Sequence, residues 1–474
     1  MMKKFSITDL AEIIKAREPR VTSDERCFFT GVSIDSRTTK AGDCFFAIAG
    51  DNFDGHHYVA DALAKGALWA VVEKDKSIEA SLKPRILKVG DTIKALGDFA
   101  GEYRRQEGFK VVAITGSIGK TTARQIAYHV LSQHFRVSQA PKNFNNNIGV
   151  PLTLLAAAPQ DQIVITELAS NRPGEIAYLT GIAEPDIAVV TNACLAHLAG
   201  LANLETIIQE KLSIAKGLRP NGALIINATL ANQTTDSRAV TFGMSGPCDI
   251  KAENICFKGT NSTFDIGRVK VALPLAGLGN VENALAAWAV CSKFGVNIDD
   301  FARAVKSLTA VPMRAEVLQI GKLTVLNDCY NANPASMKNA LDILVNLGSD
   351  KKGRLVFICG DMAELGSQAG QLHTELGSYI AKAKVQLLLT VGKFVEITAQ
   401  TARAAAEYDL KTESFQDNRS VCNNLGKFIK DSDIILVKGS RVTKLEIVVD
   451  KLKELFAERF SVQPEVTYRM RVEK

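Results

Sequence analysis

Seven short runs in this chain are apolar almost without a break, and each ends in a polar residue or a glycine. They are VVAIT (111–115), IVITE (163–167), IAVVTN (187–192), LTVLND (323–328), RLVFICGD (354–361), VQLLLTVG (385–392) and DIILVKG (433–439). A strand apolar on both faces has to be covered on both faces, which is the condition of a parallel sheet flanked by helices. The intervening segments, such as GEIAYLTG and the stretch after Ala202, read as those helices. An α/β class follows. At 474 residues the chain exceeds one ordinary core. It divides by character into three α/β domains: 1–106, rich in short strands and turns; 107–312, opened by the charged lead-in GEYRRQEGFK; and 313–474, where the strand–loop style repeats.

Several classes are excluded or disfavoured. A hydrophobic share of 46% with 23% charged residues is a globular balance. The net charge of +6 comes without basic runs, so nucleic acid is not an expected partner. Nine cysteines lack CxxC pairing or metal-ligand spacing, as expected of reduced thiols. The start, MMKKFSITDLAEIIKA, has polar residues where a signal peptide needs an apolar run. No stretch approaches the ~18 apolar residues of a transmembrane helix. A cytoplasmic monomer is expected.

The strongest chemical signal lies between VVAIT and a helix: Gly116, Ser117, Ile118, Gly119, Lys120, Thr121 and Thr122. Glycines allow a tight turn that aims backbone N–H groups and a helix N-terminus at a phosphate chain. Lys120 suits the terminal phosphates, and the Thr121 hydroxyl suits Mg²⁺. Only two residues separate Gly116 from Gly119, fewer than in the standard phosphate loop. An ordinary strand-to-helix turn is the competing reading. Glu167 ends IVITE, at the edge of a parallel sheet where ligands of open α/β folds bind, and its hard oxygens suit Mg²⁺. Thr191, Asn192 and His197 follow the next strand and are expected on the same rim. The run Lys142–Gly149 (KNFNNNIG) gathers four amides, in Asn143, Asn145, Asn146 and Asn147. It reads either as a polar site or as turn chemistry.

These segments resemble the Mur ligase and folylpolyglutamate synthase superfamily, whose members make amide bonds through acyl phosphates. The shortened loop is similar to the family's, with Ile118 where a small polar residue is usual. ELASNRPGEIAYLT and TNACLAHLAGLANLE resemble the stretches that supply metal ligands. The resemblance implies Glu167, His197 and Lys211 beside Thr121 in a Mg²⁺ site, Lys211 as a carbamate; Ser213 stands where an acidic residue is usual. It also implies ATP as cosubstrate. Asn280 and Asn283, within LPLAGLGNVENALAAWAV, are implied near adenine, with Gly279 replacing the usual His. Arg314 and Asp328 are implied at the nucleotide from the third domain. NFNNN is similar to a family loop bordering phosphates and substrate.

LNDCYNANPASMKNAL (326–341) resembles the signature of the family's D-alanyl-D-alanine-adding branch, with Asn327 replacing an Asp. Tyr330, Asn331, Asn333, Lys438, Ser440 and Arg441 are thereby implied at the substrates, with Asp361 and Glu364 nearby. Residues 32–67, containing Ser36 and Arg37, resemble the family's UDP-sugar-binding module. The resemblance runs from about residue 30 to 450. It implies an N-terminal UDP-substrate-binding α/β module, a central doubly wound P-loop-like ATP-binding domain and a C-terminal Rossmann-like α/β domain. The implied activity is ligation of D-alanyl-D-alanine to UDP-N-acetylmuramoyl tripeptide. Another Mur-type or folylpolyglutamate-type ligase, or a nucleotide-binding scaffold that has lost catalysis, are the alternatives.

Overall fold

The computed structural model describes residues 2–17, 28–141, 143–349 and 353–457. Lys142 and the stretch 458–474 of the expected third domain lie outside the described residues. Contacts divide the chain into two units. One holds Met1–Val311 with Asn333–Asn339 and Ala363–Leu372; the other holds Pro312–Ala332, Ala340–Met362 and the chain from His373 onward.

The first unit contains two large sheets. Gly31–Ser33, Asp43–Phe46, Trp69–Glu73 and Ile86–Val89 pair in that order, all parallel. The second sheet has nine strands. Lys110–Thr115 stands third from one edge, flanked by Ile163–Glu167 on one side and Ile187–Val190 on the other, both parallel to it. From Lys110–Thr115 the chain runs outward to Val137–Gln139, returns to Ile163–Glu167, and then crosses to Ile187–Val190. Strand order therefore reverses beside Lys110–Thr115. The carboxyl ends of three adjacent strands open there, the usual ligand crevice of a doubly wound sheet.

Helices cover both faces of this sheet, as the apolar runs require. Lys120–Leu131 places Ala123, Ile126, Ala127, Val130 and Leu131 on one stripe at helical spacing. That stripe shares a core with Leu278–Lys293 and the strand residues Val112 and Ile114. On the opposite face, Thr92–Gln106, Gly149–Leu155 and Glu175–Ala183 pack over Val111, Ala113 and Val164. The same core continues into Cys44, Phe46, Trp69 and Val71 of the N-terminal sheet.

One part departs from the parallel pattern. Ile250–Lys258, Asn261–Ile266 and Val269–Leu273 extend the nine-stranded sheet as an antiparallel meander. Their alternating burial is the period-two signature of strands covered on a single face.

The second unit is built on six strands ordered Glu316–Ile320, Leu323–Asn327, Ile434–Lys438, Leu355–Gly360, Leu387–Val391 and Lys411–Phe415. Only the first pair is antiparallel. Every described cysteine is an unpaired thiol. No helix among the described residues is long and apolar enough to cross a membrane.

Candidate active site

Gly116 has φ +143° and Gly119 has φ +84°, values in which an L side chain is strained. Space adds a second demand. A Cβ on Gly116 would run into the Thr191 hydroxyl, and one on Gly119 into the Asn283 amide. The turn is thus pressed between the neighbouring strand end and the helix Leu278–Lys293. Asn192 clamps it: Ser117 N–H donates to the Asn192 carbonyl (3.2 Å) and Ile118 N–H to Asn192 Oδ1 (3.0 Å). The Ile118 carbonyl accepts from Thr191 Oγ1 at 2.6 Å and Asn192 Nδ2 at 3.1 Å. A small polar side chain at 118 is not needed to hold this turn. Two loop N–H groups point inward, so anion-facing donors belong to the first turn of the helix, which has no intrahelical acceptor for them. The Lys120 ammonium reaches back to the Gly116 carbonyl at 2.6 Å, which holds its charge over the loop.

Glu167 is buried at the end of the adjacent strand, with Oε2 accepting from Thr121 Oγ1 at 3.3 Å. Its Oε1 is buried without a hydrogen bond, although the Arg124 guanidinium lies 3.2 Å away. Arg124 was not singled out in the sequence. It lies four residues after Lys120 on the same helix, a spacing that brings both cations to one face.

His197 opens the short helix Leu198–Leu201, and Glu210 and Lys211 lie on the helix Leu204–Leu212. His197 adopts φ +54° at the start of Leu198–Leu201, and its Nδ1 pairs with Glu364 Oε2. That contact lowers the Glu364 carboxyl pKa. Glu364, implied near the substrates, has this histidine as its described side-chain partner. Lys211 is 2% exposed, and its Nζ donates to Ser170 Oγ at 2.8 Å. Burial, followed by the nearby Lys120 charge, brings its pKa down to about 7. Glu210 beside it is consumed in capping, accepting from Gly174 N–H (2.7 Å) and Ile176 N–H (2.8 Å). Ser213, the residue standing in for an acid, donates its hydroxyl to the Glu210 carbonyl.

The other candidates in this unit each have partners within it. Asn280 and Asn283 are buried and linked, Asn283 Nδ2 to Asn280 Oδ1 at 3.4 Å, with Asn280 Nδ2 donating to the Ala276 carbonyl. Asn146 Oδ1 accepts from Ile148 and Gly149 N–H, so this amide is turn chemistry. The Asn145 carbonyl accepts from Ala169 N–H, tying its loop to the chain just past Glu167, and the Asn143 carbonyl accepts from Asn145 N–H. Ser36 is buried, with its carbonyl holding Lys65 Nζ at 3.0 Å. The exposed Arg37 is forked onto Asp35, 2.7 Å between Nη2 and Oδ2. That hydrogen bonding lowers the Asp35 pKa to about 2.

In the second unit, Asp328, Lys438 and Asp361 stand at adjacent strand ends. Lys438 Nζ contacts Asp328 Oδ2 at 2.5 Å and the Asn331 carbonyl at 2.9 Å. Asp328 Oδ1 in turn accepts from Ala315 N–H. Asp361 accepts from Lys393, Phe394 and Val395 N–H, capping the helix Val395–Ala405. The Ser440 hydroxyl contacts the Ala332 carbonyl. Arg314 lies over the Tyr330 ring at 3.9 Å, with Arg441 at 5.9 Å from the same centroid. Arg441 is half exposed and paired to Glu446. Asn333, in the first unit, caps its helix by accepting from Ser336 N–H at 2.8 Å.

Among the described residues no three His, Cys, Asp or Glu side chains gather to hold a metal by themselves. Mg²⁺ does not need such a cage, since it takes one or two carboxylates and fills its shell with phosphate oxygens and water. The buried Glu167 carboxylate, with Oε2 beside the Thr121 hydroxyl and Oε1 ion-paired to Arg124 without a hydrogen bond, offers one such ligand.

Comparison with known proteins adds identity to geometry. The model described as Mur ligase family, catalytic domain, matches residues 28–104; Mur ligase middle domain matches 114–291; Mur ligase, glutamate ligase domain, matches 313–441. A UDP-N-acetylmuramoyl-tripeptide–D-alanyl-D-alanine ligase of Bacillus subtilis is 32% identical over 96% of this chain and 99% of its own length. A crystal structure of MurF from Acinetobacter baumannii superposes with TM-score 0.84 at 29% identity, covering 95% of this chain and 99% of that one. A crystal structure of MurF ligase from Thermotoga maritima in complex with ADP gives 0.79 at 25% identity, covering 91% and 99%.

Proposed function

The chain belongs to the Mur ligase family, and we propose that it is the ATP-dependent, ADP-forming ligase that adds D-alanyl-D-alanine to UDP-N-acetylmuramoyl tripeptide during peptidoglycan synthesis. The observation that carries this is the meeting of Lys120, Thr121 and Glu167 at the mouth of the Gly116 turn, in a chain similar over nearly its whole length to ligases of that name. The work takes place in the cytoplasm, where ATP and the UDP-linked precursor are available. One chain carries every residue assigned, so a monomer suffices.

The reaction first makes a poor electrophile reactive. A carboxylate oxygen of the tripeptide attacks the γ-phosphorus of ATP, the bond to ADP breaks, and an acyl phosphate forms. The amine of D-alanyl-D-alanine then attacks the carbonyl carbon, phosphate leaves with the carboxylate oxygen, and the amine gives up its proton. Lys120 and the first helical turn offset charge on the phosphoryl oxygens. Gly116, Ser117, Ile118, Gly119 and Thr122 shape the loop that presents these groups. Thr121, Glu167, His197 and a carbamoylated Lys211 are the proposed holders of Mg²⁺, which supplies charge neutralisation when bound. A lysine whose pKa is about 7 is half neutral near physiological pH, and only the neutral amine adds CO₂.

Asn280 and Asn283 are assigned to the base, with Arg314 and Asp328 at the nucleotide from the third domain. Ser36, Arg37, Asn143 and Asn145 are assigned to the UDP-linked substrate. Tyr330, Asn331, Ser440 and Arg441 are assigned to the tripeptide end and the dipeptide. Lys438, Asn333 and Asn146 serve by fixing the loops that carry them.

A phosphate-release assay tests the assignment, with D-alanyl-D-alanine compared against D-glutamate, lysine and diaminopimelate as acceptors. Release with the dipeptide alone is expected, and Lys120→Ala lowers it at least a thousandfold with the fold intact. Silence with intact ATP binding would instead mark a scaffold.

A further inference from the structure

Gly279 stands on the first turn of the helix Leu278–Lys293, and the space a side chain there would take is already filled. A Cβ at 279 would lie 3.0 Å from Asn339 Nδ2 and 3.3 Å from Asn339 Oδ1. Gly279 N–H points at the same Oδ1, at 3.4 Å. Asn339 arrives from a different part of the chain, on the helix Pro334–Ser349. Its amide completes a polar row along the helix start. Asn283 abuts Gly119 of the phosphate turn, Asn280 follows one helical turn further out, and the Gly279–Asn339 contact lies beside it. Asn280 and Asn283 are buried, whereas Asn339 and Gly279 are half-buried, so the outermost amide keeps an accessible side.

We infer that Asn339 is an adenine-reading residue of this enzyme, positioned by the bare backbone of Gly279. The inference rests on the assignment of Asn280 and Asn283 to the nucleobase. An amide carbonyl carries two lone pairs, so Oδ1 can take the Gly279 N–H and still accept from the exocyclic amine of adenine. The adjacent Nδ2 then donates to a ring nitrogen. Guanine presents a carbonyl where adenine has its amine, so the same amide faces acceptor with acceptor. Asparagine with adenine is a recurrent bidentate match of this kind. Glycine at 279 is required because any side chain would displace the amide from its seat.

The competing role is that of a helix cap contributed from another segment. Capping would show in stability and not in base preference. Measuring KM for ATP, for GTP and for D-alanyl-D-alanine separates the two roles. Asn339→Ala is expected to narrow the preference for ATP over GTP about tenfold or more, with KM for the dipeptide unmoved. Gly279→Ala is the second variant. It suits a helix, leaves Asn339 in place chemically, and shifts its amide by a few tenths of an ångström. It narrows the preference in the same direction, and the double variant is no worse than Asn339→Ala alone. An unchanged ATP-to-GTP preference in both single variants overturns the inference, whether or not melting temperature falls. Asn283→Ala reports on the underlying assignment. If it narrows the preference while the other two do not, only Asn339 is misassigned; if it too has no effect, the base lies elsewhere.

Discussion

Lys211, on the helix Leu204–Leu212, and Lys438, at the end of the strand Ile434–Lys438, are each 2% exposed, yet they are buried in opposite ways. Lys438 is matched by the Asp328 carboxylate and two backbone carbonyls. Lys211 donates to a neutral hydroxyl, sits near the positive Lys120, and has its pKa brought down to about 7. The nearest acid in its own helix, Glu210, is already committed to capping. A matched buried charge holds loops in place, and an ill-matched one is a group kept reactive at some cost in stability. The contrast extends to the two rims. At the C-terminal rim the polar signatures are largely consumed in building the loops. At the central rim Glu167 retains an oxygen without a hydrogen bond.

Four substitutions can break or sharpen this contrast. The largest effect is expected from Lys438→Met, which leaves the partly buried Asp328 carboxylate without its cation and should cost about 3 kcal/mol in denaturant unfolding. A loss below ~1 kcal/mol would mean that Lys438 is not a structural strut. Lys211→Met should lower kcat at least a hundredfold while leaving the protein as stable or more stable near pH 6.

The folded pKa of about 7 lies below the ordinary lysine value of 10.5. Between these values the unfolded chain binds the extra proton, so wild-type stability rises with pH by at most ~1.4 kcal/mol per unit. The advantage of methionine is greatest below pH 7 and shrinks as pH climbs toward 10.5. Urea titrations of both proteins from pH 6 to 10 check this, and a pH-independent difference would contradict it.

Arg441→Ala ranks third. Its guanidinium is half exposed, so stability should shift by under ~0.5 kcal/mol while KM for D-alanyl-D-alanine rises about tenfold. Asn333→Ala is expected to have the smallest effect, about 1 kcal/mol from loss of a helix cap. A rise in dipeptide KM out of proportion to that loss would return Asn333 to the substrate.

What could be read from the sequence tracks how local the cause is. The parallel strands were legible because apolar residues on both faces leave one kind of sheet, and the Gly116 turn because its glycines sit between a strand and a helix. The meander of 250–273 was not read, although IKAENICFK alternates at period two, because its run of polar residues resembles a loop. The pairing of Lys438 was not legible, because a lysine at a strand end says nothing of the strand beside it. Its partner Asp328 is 110 residues away, brought close only by the parallel pairing of Leu323–Asn327 with Ile434–Lys438. The partners of Asp361 were hidden in the same manner, since the helix it caps begins 34 residues later. Arg124 left a local trace, its spacing from Lys120, and the Asn339–Gly279 contact left none.

Oxygen transfer reaches the chemistry most directly. With both oxygens of the tripeptide's terminal carboxylate labelled as ¹⁸O, each turnover should deliver one labelled oxygen to the released phosphate and keep the other in the new amide. Unlabelled phosphate, or AMP and pyrophosphate in place of ADP, would contradict activation through an acyl phosphate.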